Sequence, residues 1–336
     1  MMLGRTGPRV LFLGLAALAA WFFYGCAEMQ AGRPIIPVRD YEKLIAGRLD
    51  ADYVGDRQCL SRCHEHDLYK KYFEASTMGA QLSPESGLPL VNCESCHGPG
   101  SLAIQNIKVI NGKETCDFKT FIDLKNLPKQ AQSLICLKCH TRNATFNLHN
   151  WNAGVHNMSG VSCFDCHNVH QGADLKVRPA DVPGLCYKCH PNIRAQFLLP
   201  THHPVNEGRV SCIDCHDPHG SPNEYLLKEA TVKEVCVNCH AEKEGPFAYE
   251  HGDVTEDCTN CHVPHGSINN NLLKARMPFL CLQCHESQLH HGISNNNSIE
   301  TFYTRCTDCH TEIHGSDTPG LFNPGAPGAP GGTFTR

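Results

Sequence analysis

The sequence predicts a fold of short α-helices and long irregular connections, with little or no sheet, and three observations carry that expectation. Glycine and proline supply 28 and 21 of 336 residues, while aromatic residues make up only 7%, a composition poorly suited to a conventional packed core. Paired cysteines ending in Cys-His occur ten times. The span that holds them, Cys59 to His310, has only 252 residues, about 25 per pair. Whatever the pairs bind must therefore replace much of the missing core.

Nine copies are C-x-x-C-H: Cys93/Cys96/His97, Cys136/Cys139/His140, Cys163/Cys166/His167, Cys186/Cys189/His190, Cys212/Cys215/His216, Cys236/Cys239/His240, Cys258/Cys261/His262, Cys281/Cys284/His285 and Cys306/Cys309/His310. The first copy is stretched by one residue, Cys59-Leu-Ser-Arg-Cys63-His64. This is the attachment pattern of c-type haem. Two thiols form thioethers to the porphyrin, and the adjacent His meets the iron. Zinc is the alternative for a cysteine pair, but a tetrahedral site has no reason to demand His directly after every second Cys. At the stretched copy the alternative is a disulfide. The fold class expected is thus a multihaem c-type cytochrome with ten haems in two pentahaem halves, residues 59–200 and 201–314.

An internal repeat organises the motifs. One type reads V-x-C-x-x-C-H-x-x-H, as in VSCFDCHNVH and VSCIDCHDPHG; its first cysteines, Cys163, Cys212, Cys258 and Cys306, are 49, 46 and 48 residues apart. The other follows an L-L-K-A-like stretch; its first cysteines, Cys136, Cys186, Cys236 and Cys281, are 50, 50 and 45 apart. Pro183 and Thr231 stand where the helices of this second type should begin.

Twelve of the 22 histidines lie outside the motifs. Counting one from each adjacent pair, they offer ten distal ligands for ten irons: His66, His149, His156, His170, His202 or His203, His219, His251, His265, His290 or His291, and His314. Bis-histidine ligation is expected throughout, with Met78 a competing ligand among the first haems. His170, His219 and His265 follow a motif His by three residues and His314 by four. A link that short holds both on one side of a ring, so each must reach a neighbouring haem. Cys116 has no haem partner and is expected to be a small buried residue. Trp151 is a candidate for packing on a haem edge.

The ends of the chain point outside the cytoplasm. Arg5 and Arg9 precede the apolar run Val10 to Phe23, too short to favour a spanning helix, so residues 1–25 read as an export signal. The run closes on Gly25-Cys26, which resembles a lipoprotein cleavage box and makes Cys26 a candidate lipid site; ordinary cleavage nearby and a retained anchor are the alternatives. Residues 26–58 read as a tether with one helix near Tyr41 to Leu49, and residues 315–336 as a Pro/Gly-rich tail. Without residues 1–25 the chain carries 27 basic and 34 acidic residues, a balance that argues against nucleic acid as a partner.

The region from Tyr53 to Arg336 resembles the DmsE/MtrA-type periplasmic decahaem cytochromes of outer-membrane porin–cytochrome conduits. The resemblance is carried by YVGDRQC, VNCESCHGPGS, the long segment LKEATVKEVCVNCHAEKEGPFAYEHGDVTEDCTNCHVPHGS and the ending HGS…FTR. It implies ten c-type haems in an elongated array threaded into an outer-membrane β-barrel porin. It also implies periplasmic electron-donor cytochromes on one side and a cell-surface multihaem cytochrome on the other. The chain departs from the family in its stretched first motif, in its lipoprotein-like signal, and in lacking His near Met78 and Ala103. An electron carrier rather than an enzyme is expected, working as a conduit component. The alternatives are a free or polymeric carrier without a porin and, less favoured, a multihaem reductase, which would need an iron with an open position.

Overall fold

The structure, a computed structural model, describes residues 44–64, 69–76, 78–87, 90–140, 148–170, 179–223, 225–252, 256–285, 305–308 and 310–317. Cys26, His66, His290, His291 and Cys309 lie outside the described residues.

Short helices and coil dominate, as expected. The longest described helix is Lys129–His140, at 12 residues, and none of those described is long and apolar enough to cross a membrane. Among the described residues sheet is confined to two small antiparallel pairs. Lys108–Ile110 pairs with Lys113–Thr115 across Asn111-Gly112, both at positive φ (54° and 77°), the turn chemistry that a two-residue hairpin favours. Thr201–His202 pairs with Gly266–Ser267.

Buried apolar side chains are few and scattered, among them Ile135, Leu137, Trp151, Val182, Phe197, Val205, Leu226 and Leu273. One cluster gathers Cys63, Ala103 and Cys116, with Ile104, Ile107 and Phe121 against it. Among the described residues the polypeptide thus has little apolar core of its own.

Part of the segment expected to be a tether is docked. Glu94, 2% exposed, sits between the two cysteines of the second motif. Its carboxylate accepts hydrogen bonds from the backbone N–H groups of Val54, Gly55 and Gly100. Asp52 N–H donates to Ser101 Oγ at 2.8 Å, and Lys138 Nζ donates to the Ile45 carbonyl at 2.9 Å. A buried carboxylate must be paid for by donors, and this chain takes two of them from the preceding segment and one from the turn after the motif.

Contacts run across residue 200 as well as on either side of it. Gln196 meets His265, His156 meets the Pro218 carbonyl, and Gly154 packs on Gly220.

Candidate haem-binding sites

Each regular motif whose His is described folds as a single tight turn. His167, His190, His216, His240, His262, His285 and His310 each donate their backbone N–H to the carbonyl of the motif's first cysteine, at 2.8–3.0 Å. That i→i−4 bond places positions i, i+3 and i+4 along one side of a turn, so both sulfurs and the imidazole face one direction. Caps start the turn. Ser162 with Asp165, Ser211 with Asp214 and Asn92 with Ser95 form reciprocal capping boxes around the first cysteine. In the other repeat type, Thr231 caps Val232–Val237 with Glu234 and Pro183 lies in the first turn of Val182–Cys186, as the sequence predicts.

The L-L-K stretches gain a role that the sequence did not disclose. Leu227 and Leu273 form antiparallel bridges with His216 and His262. Lys228 and Lys274 N–H donate to the carbonyls of Cys215 and Cys261. The same strap takes up the imidazoles, since Nδ1 of His216 and His262 meets the carbonyls of Tyr225 and Asn271, each at 2.8 Å. A carbonyl only accepts, so Nδ1 carries the proton and Nε2 is left as the ligand atom.

Seven of the motif histidines face a second histidine at nearly constant separation. The ring centroids of His97 and His170 lie 6.2 Å apart, His156 and His190 6.3 Å, His167 and His219 6.1 Å, His203 and His240 6.3 Å, His216 and His265 6.2 Å, His251 and His285 6.1 Å, and His262 and His314 6.2 Å. Imidazole nitrogen bonds a transition metal at about 2.0 Å and lies about 1.1 Å from the ring centre, so two imidazoles in trans on one metal have centroids about 6.2 Å apart. Rings stacked on each other would be free to come closer. The planes differ by 8° to 60°, which rotation about a metal–nitrogen axis allows. The residues therefore fit a bis-histidine haem at these seven motifs.

The pairing follows two rules. His170, His219, His265 and His314 each face the motif His two motifs upstream, not the one adjacent in sequence. His156, His203 and His251 each face a motif His 34 to 37 residues downstream. The two sets are tied together. Nδ1 of His156 bonds the carbonyl of Pro218, that of His203 the carbonyl of Pro264, and that of His251 the carbonyl of Ile313. Each acceptor is the residue before His219, His265 or His314. Asn168 and Asp217 side chains accept from the N–H of His170 and His219 and so hold those turns. Burial pushes the imidazole pKa of His97, His170, His219, His251 and His265 down, and that of His314 to about 4. Neutral imidazole is the form a metal requires.

Of the adjacent pair, His203 faces His240. His202 has both nitrogens engaged, Nδ1 with the Leu199 carbonyl at 2.6 Å and Nε2 with Glu207 at 3.2 Å. Consecutive residues of an extended segment point to opposite sides, so only one of the two can serve. His149 stands in the turn before Trp151 and belongs to none of the seven pairs. Trp151 is 6% exposed, and among the described residues its Nε1–H has no acceptor, a donor suited to a porphyrin carboxylate.

Glycine after a distal His lets segments approach. At Gly220, φ is 122° and a Cβ would lie 2.7 Å from the Asn150 carbonyl oxygen. Gly220→Ala is expected to cost about 3 kcal/mol, from backbone strain and the collision together. Chemical denaturation of the holoprotein measures it, and an unchanged midpoint would remove the argument.

The attachment cysteines neighbour one another in sequence order. The thiols of the first cysteines lie close enough to interact in pairs: Cys59 with Cys93, Cys136 with Cys163, Cys186 with Cys212, Cys236 with Cys258 and Cys281 with Cys306. The second cysteines make the alternate links: Cys96 beside Cys139, Cys166 beside Cys189, Cys215 beside Cys239 and Cys261 beside Cys284. The links alternate without a gap from the first motif to the tenth.

The first motif departs from expectation. Cys63 is joined to Cys116 by a disulfide, across 53 residues of sequence and 6.2 Å between Cα atoms. One sulfur cannot form both a disulfide and a thioether, so the expected second thioether at Cys63 is corrected here. Cys116 is buried, as expected, but bonded. In this stretched motif Cys63 lies in the cluster with Ala103 and Cys116, against which Ile107 packs.

Cys-Cys-His turns in tandem, seven of them with a second imidazole facing the motif His, define a multihaem c-type cytochrome, a carrier of electrons. A family profile described as the doubled CXXCH motif matches residues 156–195, 202–245 and 251–290. Over 280 residues, 79% of each chain, the sequence is 36% identical to the multihaem cytochrome MtrA of Shewanella baltica (strain OS185). The chain belongs to the MtrA family of multihaem cytochromes.

Proposed function

We propose that the chain carries ten haems in sequence order and passes electrons along them through a porin in the outer membrane. The observation that carries this reading is the unbroken alternation of attachment cysteines from Cys59 to Cys306. Haems fixed at successive turns of that kind stand next to one another, and a charge on any of them has a neighbour on either side. Bound haem supplies the one-electron chemistry.

The residues do the positioning. The motif cysteines hold each porphyrin, and His64, His97, His140, His167, His190, His216, His240, His262, His285 and His310 supply the proximal nitrogen. His156, His170, His203, His219, His251, His265 and His314 supply the distal one to the partners that face them. His149, His66 and one of His290 and His291 remain for the other irons, with Met78 competing at the start of the array. Two imidazoles holding each iron would leave no position for a substrate, which favours electron transfer over reductase chemistry.

An array of this length in a chain with no spanning helix among its described residues needs a closed barrel as a sheath, because exposed irregular backbone is not tolerated in hydrocarbon. The family resemblance suggests the same partner, with periplasmic cytochromes as donors and a cell-surface multihaem cytochrome as acceptor. Lipid on Cys26 and the stretch between it and the docked Asp52 would hold the molecule at the membrane. The test is affinity purification of the tagged full chain from detergent-solubilised outer membrane. A β-barrel porin in stoichiometric amount supports the conduit; recovery without any porin overturns it in favour of a free carrier.

A further inference from the structure

We propose that the first haem is held by one sulfur: Cys59 forms its only thioether, and Cys63 is committed to a permanent disulfide with Cys116. The proposal rests on the ten-haem reading at the first motif alone.

Three observations converge. Cys59 occupies the place that a first thioether cysteine occupies elsewhere. It lies beside Cys93 of the next motif, as Cys136 lies beside Cys163 and Cys186 beside Cys212. His64 also keeps its relation to Cys59, because its N–H still donates to the Cys59 carbonyl, at 3.1 Å. The inserted residue is absorbed between them as a wider i→i−5 turn.

Cys63 has left that arrangement. Its own N–H shares the Cys59 carbonyl. Its side chain is 9% exposed in the cluster with Ala103 and Cys116, the latter 6% exposed, whereas the second cysteines Cys139, Cys166, Cys189, Cys239 and Cys284 are exposed. Polypeptide covers the Cys63 sulfur as it covers that of Cys59, 8% exposed, and it is the bond to Cys116 that sets Cys63 apart. The bond ties the helix Asp56–Arg62 to the segment after the Lys108–Thr115 hairpin.

The chemistry balances. The Cys59 S–H adds across one porphyrin vinyl group, sulfur to one carbon and hydrogen to the other, with nothing lost. Cys63 and Cys116 lose two hydrogens to an extracytoplasmic protein disulfide, which becomes a dithiol. One vinyl group of the first haem stays unsaturated.

Peptide mapping of the mature full-length holoprotein tests this. The protein is denatured without reductant, alkylated, then reduced and alkylated with a second reagent, with haem counted in parallel. The expected result is no free thiol among Cys59, Cys63 and Cys116 before reduction, two after it at Cys63 and Cys116, and ten haems. A free Cys116 with Cys63 on porphyrin, again with ten haems, overturns the proposal and leaves the ten-haem reading intact. A free Cys59 with nine haems overturns both. The Cys63→Ser/Cys116→Ser double variant gives a second readout that does not depend on trapping thiols. It should keep ten covalent haems and an unchanged pyridine ferrohaemochrome band, whereas Cys59→Ser should release one haem to acidic acetone. A band shifted to longer wavelength in the double variant would mean that Cys63 had been a thioether.

Discussion

His203→Ala is expected to leave the haem content unchanged and to convert one haem in ten from low-spin to high-spin, while His202→Ala changes neither. The contrast is strong because the two residues are adjacent and chemically identical. His203 faces the motif His240 at 6.3 Å and is steadied by the Pro264 carbonyl through Nδ1. His202 spends Nδ1 on Leu199 and Nε2 on Glu207, which leaves no nitrogen for iron. Without His203 the seventh motif's iron keeps only its proximal imidazole, and a five-coordinate iron is high-spin. Electron paramagnetic resonance of the oxidised protein reads this directly. A high-spin signal from His202→Ala, with none from His203→Ala, would reverse the assignment.

The second large effect concerns continuity. Removing one interior haem with the pair Cys212→Ala and Cys215→Ala should lower transfer through the whole array by orders of magnitude. The loss in haem content is only about one part in ten. The sixth motif is the sole link between its neighbours in the alternation, with Cys212 beside Cys186 and Cys215 beside Cys239. The fifth and seventh haems then face each other across a gap, and the rate of a serial path is set by its slowest step. The measurement is reduction of an external acceptor by dye trapped inside vesicles carrying the porin-bound protein. A rate that falls only in proportion to haem content would show that parallel routes bypass the sixth position and that the array is not a simple chain.

Much of this architecture was legible in the sequence, and the parts that were not share a physical reason. The attachment turns were readable because their chemistry is local: Cys, Cys and His within five residues, with Ser162 and Asp165 or Thr231 and Glu234 as caps beside them. The candidate distal ligands could be counted, and the argument that His219 cannot reach its own iron needed only the length of the link. Its destination two motifs upstream was not readable, because it depends on how 50-odd residues return on themselves. His202 and His203 could not be separated until the Leu199 carbonyl and Glu207 were seen to occupy one of them. Glu94 was hidden inside a motif that had already been given a purpose, and its three backbone donors come from elsewhere in the chain. The Cys63–Cys116 bond was illegible for the same reason: the extra residue in the first motif was visible, but its consequence lies 53 residues away.

The upstream reach of His170, His219, His265 and His314 bears on how such a molecule is made. A polypeptide exported with its N-terminus leading presents the second, fourth, sixth and eighth attachment turns well before the imidazoles that face them, whereas His156, His203 and His251 precede the turns they face. The second motif waits for His170 and the eighth for His314, four residues beyond the last turn. For those four positions maturation would be retrospective, a later stretch locking a cofactor installed earlier. A chain cut short after His310 would arrive with the eighth iron still unlatched, although every residue of its own motif was present.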